Sequence, residues 1–338
     1  MKSKSFILTL ILFFCTAFYA LPATAADQTA ADGGPAFQTL ERIETIVYGA
    51  PQGGGLLARL NNAEKEVFGR ELPGSLTERQ TAMLSFLEKG TTTQPSLLFK
   101  LSVAEWAVTQ QIHPELSLAR RVDTIENIIE GTVQGGALAS RIERVITKLL
   151  PEGVIATPVA IPASTVLKTE LAQTLTVRNV KVDDKVVLKL IDEIVINQTL
   201  VAPKGSRVFA HITKVKPPRS FGRPSEIGIG FDALEVIEPS SVAVTMGDAA
   251  KKATEADSAA IGAAGASFAG AVLLGPLGLA SGVLIRGTDK QLKEGTMFYI
   301  ETDAAATVQG YKVPPQISSM VRSGDAVLPQ GSATVTNP

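Results

Sequence analysis

An internal repeat constrains this chain more than any other feature. Glu44, Val47, Tyr48 and Gly49, followed by Gly54, Leu56 and Arg59, return twenty residues on as Glu64, Val67, Phe68, Gly69, Gly74, Leu76 and Arg79. The same spacing reappears as Glu126, Ile129, Gly131, Gly136, Leu138 and Arg141, and a fainter copy keeps Glu105, Val108 and Arg120. A unit this short cannot bury an apolar face by itself, so its copies must stack on one another. Each reads as an amphipathic helix ending at a glycine that can take the left-handed conformation, with a short glycine-containing loop leading to the next helix. Residues 37–150 are therefore expected to form a helical array. Leu57, Leu60, Ala63, Val67 and Phe68 fall on one face at helical spacing and are expected to be its core. The periodic Glu and Arg could line a ligand row, but cross-helix or i-to-i+4 pairing on a solvated face is the simpler expectation. Trp106 is expected in the core, and His113-Pro114 marks a helix boundary.

Pro151 to Pro162 (PEGVIATPVAIP) reads as a linker, 151–164, because proline fixes φ and donates no hydrogen bond. Beyond it the apolar period changes to two. Thr165 to Leu171, Val186 to Ile196, Arg207 to Val215, Glu226 to Ile237 and Val242 to Met246 are β-branched stretches divided by turn chemistry such as Val182-Asp183-Asp184-Lys185 and Ala202-Pro203-Lys204-Gly205. A small β-domain is expected over 165–247, with a final strand region at 291–312 and a disordered tail at 313–338. Within the fourth stretch Gly228 and Gly230 share a strand face, which predicts that a neighbouring chain or side chain passes close to them.

The interruption between these two β regions is chemically distinct. From Ser258 to Ile285, between Asp257 and Arg286, no residue carries a charge. Small residues recur every four positions at Ser258, Gly262, Ala266 and Gly270, and Gly278 and Gly282 follow Leu274. In a helix this pattern makes a flat stripe on which backbones approach closely in lipid, so Gly262, Ala266, Gly270, Gly278 and Gly282 are the expected helix-packing and oligomerisation residues. Gly275-Pro276 should bend or break the run. A glycine-zipper helical segment is expected over 248–290, contacting the membrane through 258–285.

At the N-terminus, Lys2 and Lys4 precede the apolar run Phe6 to Cys15, and Ala23-Thr24-Ala25-Ala26 precedes Asp27. This is the pattern of a cleavable signal peptide, 1–26, with a flexible lead-in at 27–36. A membrane anchor needs about 20 apolar residues, and this run is too short for one. The export pattern places the protein in the periplasm or at the outer membrane. Cys15, the only cysteine, lies inside the signal, so disulfides and thiolate chemistry are not expected after processing.

Two parts of the chain resemble known sequences. Ile161-Pro-Ala-Ser-Thr-Val-Leu-Lys-Thr-Glu-Leu, then Val182-Asp-Asp-Lys-Val, then Leu200-Val-Ala-Pro-Lys-Gly-Ser-Arg-Val resembles the C-terminal β-barrel domain of the type IV secretion outer-membrane-complex subunit. That resemblance covers about 161–309. It implies a barrel with a late helical hairpin where Ser258 to Ile285 stands, and a last strand after Glu294-Gly295-Thr296. Ser164 and Asp183 depart from it, since the family has glycines there, and the family's inner-membrane helix is missing. The repeat region resembles the short leucine, glutamate and phenylalanine-glycine repeats of exported bacterial proteins, and the glycine run is similar to glycine-zipper outer-membrane proteins.

The inventory for chemistry is thin. A formal charge of −1 supplies no field to draw nucleic acid, and no nucleic-acid partner is expected. Gly265-Ala-Ser267-Phe-Ala269 lacks the strand–turn–helix setting of a nucleophile elbow. Gly228-x-Gly230-x-x-Ala233 lies within a strand rather than after one, unlike a dinucleotide fingerprint. His113 and His211 are too far apart in sequence to spell a zinc motif. No catalytic residue, metal or cofactor is expected. Lys214, Lys216, Arg219 and Arg223 form the one local basic cluster, a possible contact for an anionic polymer or lipid phosphate, with a solvated loop as the alternative. The resulting expectation is an α+β multidomain, non-enzymatic envelope protein. Its N-terminal repeats are all-α, and its C-terminal antiparallel β-barrel or sandwich carries the inserted glycine-rich helical hairpin. It would act as a homo-oligomeric, membrane-associated structural or transport component. The alternative is a soluble periplasmic module binding cell-wall polymer or a protein partner.

Overall fold

A computed structural model describes residues 34–217, 225–263, 272–273, 282–287, 291–315 and 317. The signal region, Arg219, Arg223, Ala266, Ser267, Gly270, Gly278 and nearly all of the tail lie outside the described residues.

The repeats fold as helices α1 Pro35–Tyr48, α2 Leu56–Phe68, α3 Leu76–Glu88, α4 Leu97–Thr109, α5 Leu118–Glu130 and α6 Leu138–Leu149. Their ends follow from local chemistry. Gly49, Gly69 and Gly131 adopt positive φ just past α1, α2 and α5, a conformation that glycine takes without a Cβ penalty. Ser75, Ser96 and Ser117 cap α3, α4 and α5 by accepting a backbone N–H, and Ser75 shares a capping box with Glu78. α4 is buried nearly all round through Leu97, Phe99, Leu101, Val103, Ala104 and Trp106, so it is the central helix. Leu57 is 56% exposed and does not join the predicted core face. The inward stripe of α2 is Arg59, Leu60, Ala63, Glu64 and Val67 instead, because buried charged pairs occupy part of it.

The rest of the chain forms β1 Ala156–Ile161, β2 Val166–Leu171, β3 Leu175–Thr176, β4 Lys185–Leu190, β5 Ile194–Ile196, β6 Thr199–Ala202 and β7 Arg207–Lys216. After these come β8 Ser225–Glu235, β9 Ser241–Thr245, helix α7 Asp248–Ala263, β10 Val272–Leu273, β11 Gly282–Gly287, β12 Gln291–Leu292, β13 Met297–Thr302 and β14 Ala306–Lys312. One sheet runs β10-β11-β8-β7-β4-β2-β13-β9, and a further β8–β9 pairing closes its last six strands into a ring. Closure removes the free edges on which sheets aggregate. The predicted alternation fills the interior: Leu167 and Leu171, Val186 and Leu188, Ile227, Ile229 and Phe231, and Phe298 and Ile300 belong to one core.

Two segments differ from expectation. Part of the proline-rich linker is strand β1, paired to β14 from Ala156↔Tyr311 to Ile161↔Ala306 in a second sheet ordered β1-β14-β6-β5. Pro158 is tolerated because β1 is an edge strand and the proline is exposed. The predicted helical hairpin is helical only through Ala263 within its described part. Val272–Leu273 and Gly282–Gly287 are antiparallel strands, and β11 pairs with Ser225 to Gly230 of β8. The ring's β9 meets β8 only at Ala233 to Glu235. The other half of that edge must satisfy its backbone groups elsewhere, and β11 does so.

The helices do not keep a core of their own. Leu200, Ile237, Tyr311 and Val313 of the β region join Trp106, Phe99 and the other buried helix residues in one cluster. The array is thereby packed onto the four-stranded sheet.

Candidate functional site

The periodic Glu and Arg prove to be buried clamps. Glu44 accepts Arg59 Nε and Nη2 at 2.9 and 2.6 Å and the backbone N–H of Gln52 at 2.9 Å. Glu64 repeats this with Arg79 and the N–H of Leu72, and Glu126 with Arg141 and the N–H of Gln134. In each unit the glutamate holds the arginine fifteen residues on and the loop amide eight residues on. A residue three before the glutamate often supports the arginine, as Asn61 does for Arg79 and Asp123 for Arg141, each at 2.6 Å. All three glutamates are 0% exposed, which corrects the expectation of solvated pairing. The bonds to Glu44 and Glu64 hold the Arg59 and Arg79 guanidinium groups above their ordinary pKa. In these three units both carboxylate oxygens are taken up internally, so the row staples helix to loop to helix.

The fourth clamp is altered. Glu105 binds Arg121, not the predicted Arg120, because the intervening loop is one residue longer and the separation is sixteen. His113 occupies the position eight after Glu105, and its Nδ1, rather than a backbone amide, lies 3.0 Å from Glu105 Oε1. Gln110, with φ 59, stands where the other units have a left-handed glycine. This loop docks on the β region. Ile112 N–H donates to the Lys204 carbonyl at 2.8 Å, and Glu115 pairs with Lys189 at 2.9 Å. Gly205, at φ +88, comes so close to the Ile112 carbonyl that a Cβ would stand 2.1 Å from it. Trp106 adds a bond across the same junction, donating Nε1 to Glu193 Oε2 at 2.7 Å while its ring meets Tyr311 edge-on at 6.4 Å. Burial pushes the Tyr311 hydroxyl up to about 12, with Glu152 reinforcing it.

Beside this junction lies a cleft of about 470 Å³ between α1, α4 and α5 on one side and β7–β8 on the other. Three arginines line it. Arg42 is tied to Glu88 by Nε and Nη2 at 2.8 and 2.7 Å, Arg207 to Glu235 at 2.7 and 2.9 Å, and Arg121 to Glu105 as above. The Arg207 guanidinium also stands 5.4 Å over the Phe209 ring. Burial pulls its pKa down, but the bonds to Glu235 more than offset this and hold it above its ordinary value. Between the charges the walls are apolar, with Ile46, Leu98, Leu116 and Ile237 among them. None of these arginines stood out in the sequence, because they lie far from one another along the chain and only the packing of array on barrel gathers them.

The predicted site residues are not gathered in this way. Lys214 and Lys216 lie on β7, with their Nζ atoms 2.8 and 3.7 Å from the same Glu226 oxygen, so half of the basic cluster is shared with an acid. Gly262 is on α7, whereas Gly282 is on β11, in register with Gly230, so these two do not share a helix face. Ala266, Gly270, Gly278, Arg219 and Arg223 lie outside the described residues. The close approach predicted at Gly228 and Gly230 is present: Cβ atoms there would stand 2.5 Å from Thr213 Oγ1 and 2.7 Å from His211 Cε1. Among the described residues no helix is long and apolar enough to cross a membrane.

No protein-family model and no curated protein matches the sequence. Among solved structures, ComB10 of the Com type IV secretion system of Helicobacter pylori is similar over 46% of this chain and 93% of that chain. The identity is 10% and the TM-score 0.23. At that score the likeness defines neither fold nor function, and the fold described above rests on the strand pairings alone.

Proposed function

We propose that this protein is a non-enzymatic component of the bacterial cell envelope. In this reading it forms a homo-oligomeric, membrane-associated assembly, with the β-barrel as its body and the helical array as an interaction arm. The reading rests on where the uncharged run stands. It leaves the closed ring after β9, begins on α7, and returns as β11 on the free half of β8. A long stretch with no charge, anchored at both ends on a barrel, is suited to enter an apolar environment without unfolding its support. The export pattern at the N-terminus and the barrel motifs around Ile161, Val182 and Leu200 point to the same compartment.

Carbonate extraction of envelope membranes is the test, followed by mass measurement in mild detergent. The wild type is expected to stay in the pellet and to run as an oligomer. Gly270→Ile with Gly278→Ile should keep it in the pellet yet dissociate it, because larger side chains retain membrane affinity but block close packing. Release of the wild type as a soluble monomer would overturn the assembly and favour the soluble binding module.

A further inference from the structure

We propose that the cleft between the helical array and β7–β8 is a binding site for a small amphipathic carboxylate, an oxyanion joined to an apolar body. This inference stands on the array–barrel junction and is independent of membrane association.

The donors come first. A guanidinium carries five N–H donors in a fixed fork, and Arg42, Arg121 and Arg207 each give the Nε–Nη2 edge to a glutamate. Arg121 Nη2 also donates to Ser102 at 3.0 Å. Nη1 of all three has no hydrogen-bond partner among the described residues, and none of these atoms is sealed away from solvent. The glutamates paired to them have both oxygens occupied, Glu88 by Arg42, Glu235 by Arg207, and Glu105 by Arg121 and His113, while Glu115, also on the cleft wall, gives one oxygen to Lys189. The capacity left over on the three arginine–glutamate pairs is thus of the donating kind, three Nη1 groups against the one acid, Glu115, that is not paired to an arginine, and this favours an oxyanion over a cation.

Burial and fixation strengthen that selection. Arg121 is only 4% exposed, so its guanidinium already stands in a low-dielectric setting where a new hydrogen bond to a charged partner counts for more than in water. Arg121 and Arg207 are held in place by their glutamates, so little of their side-chain entropy remains to be lost on binding. The walls supply the other half of the ligand's chemistry, since Ile46, Leu98, Leu116, Phe209 and Ile237 offer apolar surface among the donors. The cleft's size and its place between two lobes match those of small-molecule sites. Because each arginine is already paired, the site lacks the net positive field that draws a polyanion, and a single carboxylate with an apolar tail fits it better.

The experiment uses the full mature protein with 8-anilinonaphthalene-1-sulfonate, a fluorescent apolar anion, as the probe, and with decanoate and decanol as competitors. Saturable binding is expected, with decanoate displacing the probe at least ten times better than decanol. Ser241→Trp fills the cleft from the β9 side without altering charge and should weaken probe binding tenfold or more. Arg42→Gln removes an exposed donor and should weaken it several-fold with an unchanged far-ultraviolet spectrum, so the idea stays testable if the tryptophan variant folds poorly. Equal displacement by decanol would overturn the oxyanion assignment. Probe binding untouched by both substitutions would overturn the site itself.

Discussion

The helical array and the barrel meet the same two problems, tight turns and charged side chains, in different proportions. In the array the left-handed turns at Gly49, Gly69 and Gly131 are given to glycine and one to Gln110, and the charges of Glu44, Glu64 and Glu126 are buried with their arginines. In the β region glycine holds the positive φ at Gly205 and Gly295, but Ser164, Asp183, Asn197 and Gln198 carry side chains there, and paired charges such as Lys214–Glu226 keep partial exposure. The array is therefore specified by a polar clamp that admits one geometry per repeat, and the barrel by apolar alternation and ring closure. Charge removal should hurt the first far more than the second, whereas turn repair has more positions to act on in the second.

The sharpest way to break that contrast is to cut one clamp. Glu64→Ala leaves Arg79 buried without its carboxylate and the Leu72 N–H without an acceptor. Removing one partner of a buried ion pair costs about 3–5 kcal/mol, and that loss is expected in denaturant unfolding. Glu226→Ala in the barrel, whose lysine partners are a third or more exposed, should cost no more than about 1 kcal/mol. Similar losses at the two sites would erase the distinction.

Acid should act on the Glu126 clamp. Burial raises the pKa of Glu126, but the Arg141 bonds, the Gln134 amide and Arg144 outweigh it and hold the carboxyl below its ordinary 4.5. A group whose pKa is depressed by folding contributes stability that is complete above its unfolded value. That stability is lost as pH falls through the lower folded value. Wild-type stability should therefore decline from about pH 5 downward, and Glu126→Gln, less stable at neutral pH, should show a shallower decline. Parallel pH profiles for the two proteins would remove Glu126 from the acid response.

Legibility in the sequence follows the same division. The repeat spacing located the helices of the array, and two-residue alternation located most strands of the ring, because both patterns are local consequences of which face is buried. Burial of Glu44 and Arg59 was not legible, since a solvated pair and a buried clamp have the same spacing and only the fold decides between them. Arg121 was missed in favour of Arg120 because one additional loop residue shifts the register. Pro158 hid β1, since edge position is a property of the finished sheet. The cleft was invisible for a related reason: Arg42, Arg121 and Arg207 come from three distant elements and meet only where the array packs on the barrel.

The smallest expected effect is a gain, and it tests the barrel's side of the comparison. Ser164 and Asp183 hold φ of 58° and 70°, a region in which an L side chain is crowded against its own backbone. Ser164 N–H donates to the Thr302 carbonyl at 2.9 Å, and Asp183 N–H to the Ile212 carbonyl at 2.8 Å. These backbone bonds keep both turns in place whatever the side chain. Replacing either residue by glycine removes the left-handed penalty of about 1–2 kcal/mol but gives the unfolded chain more freedom, which takes back part of it. Ser164→Gly is accordingly expected to stabilise by about 0.5–1 kcal/mol, read as a higher denaturation midpoint with unchanged slope. The matching change in the array, Gly69→Ser at φ 74, should destabilise by a similar amount. A loss at Ser164, or no loss at Gly69, would show that the two regions do not differ in how their turns are held.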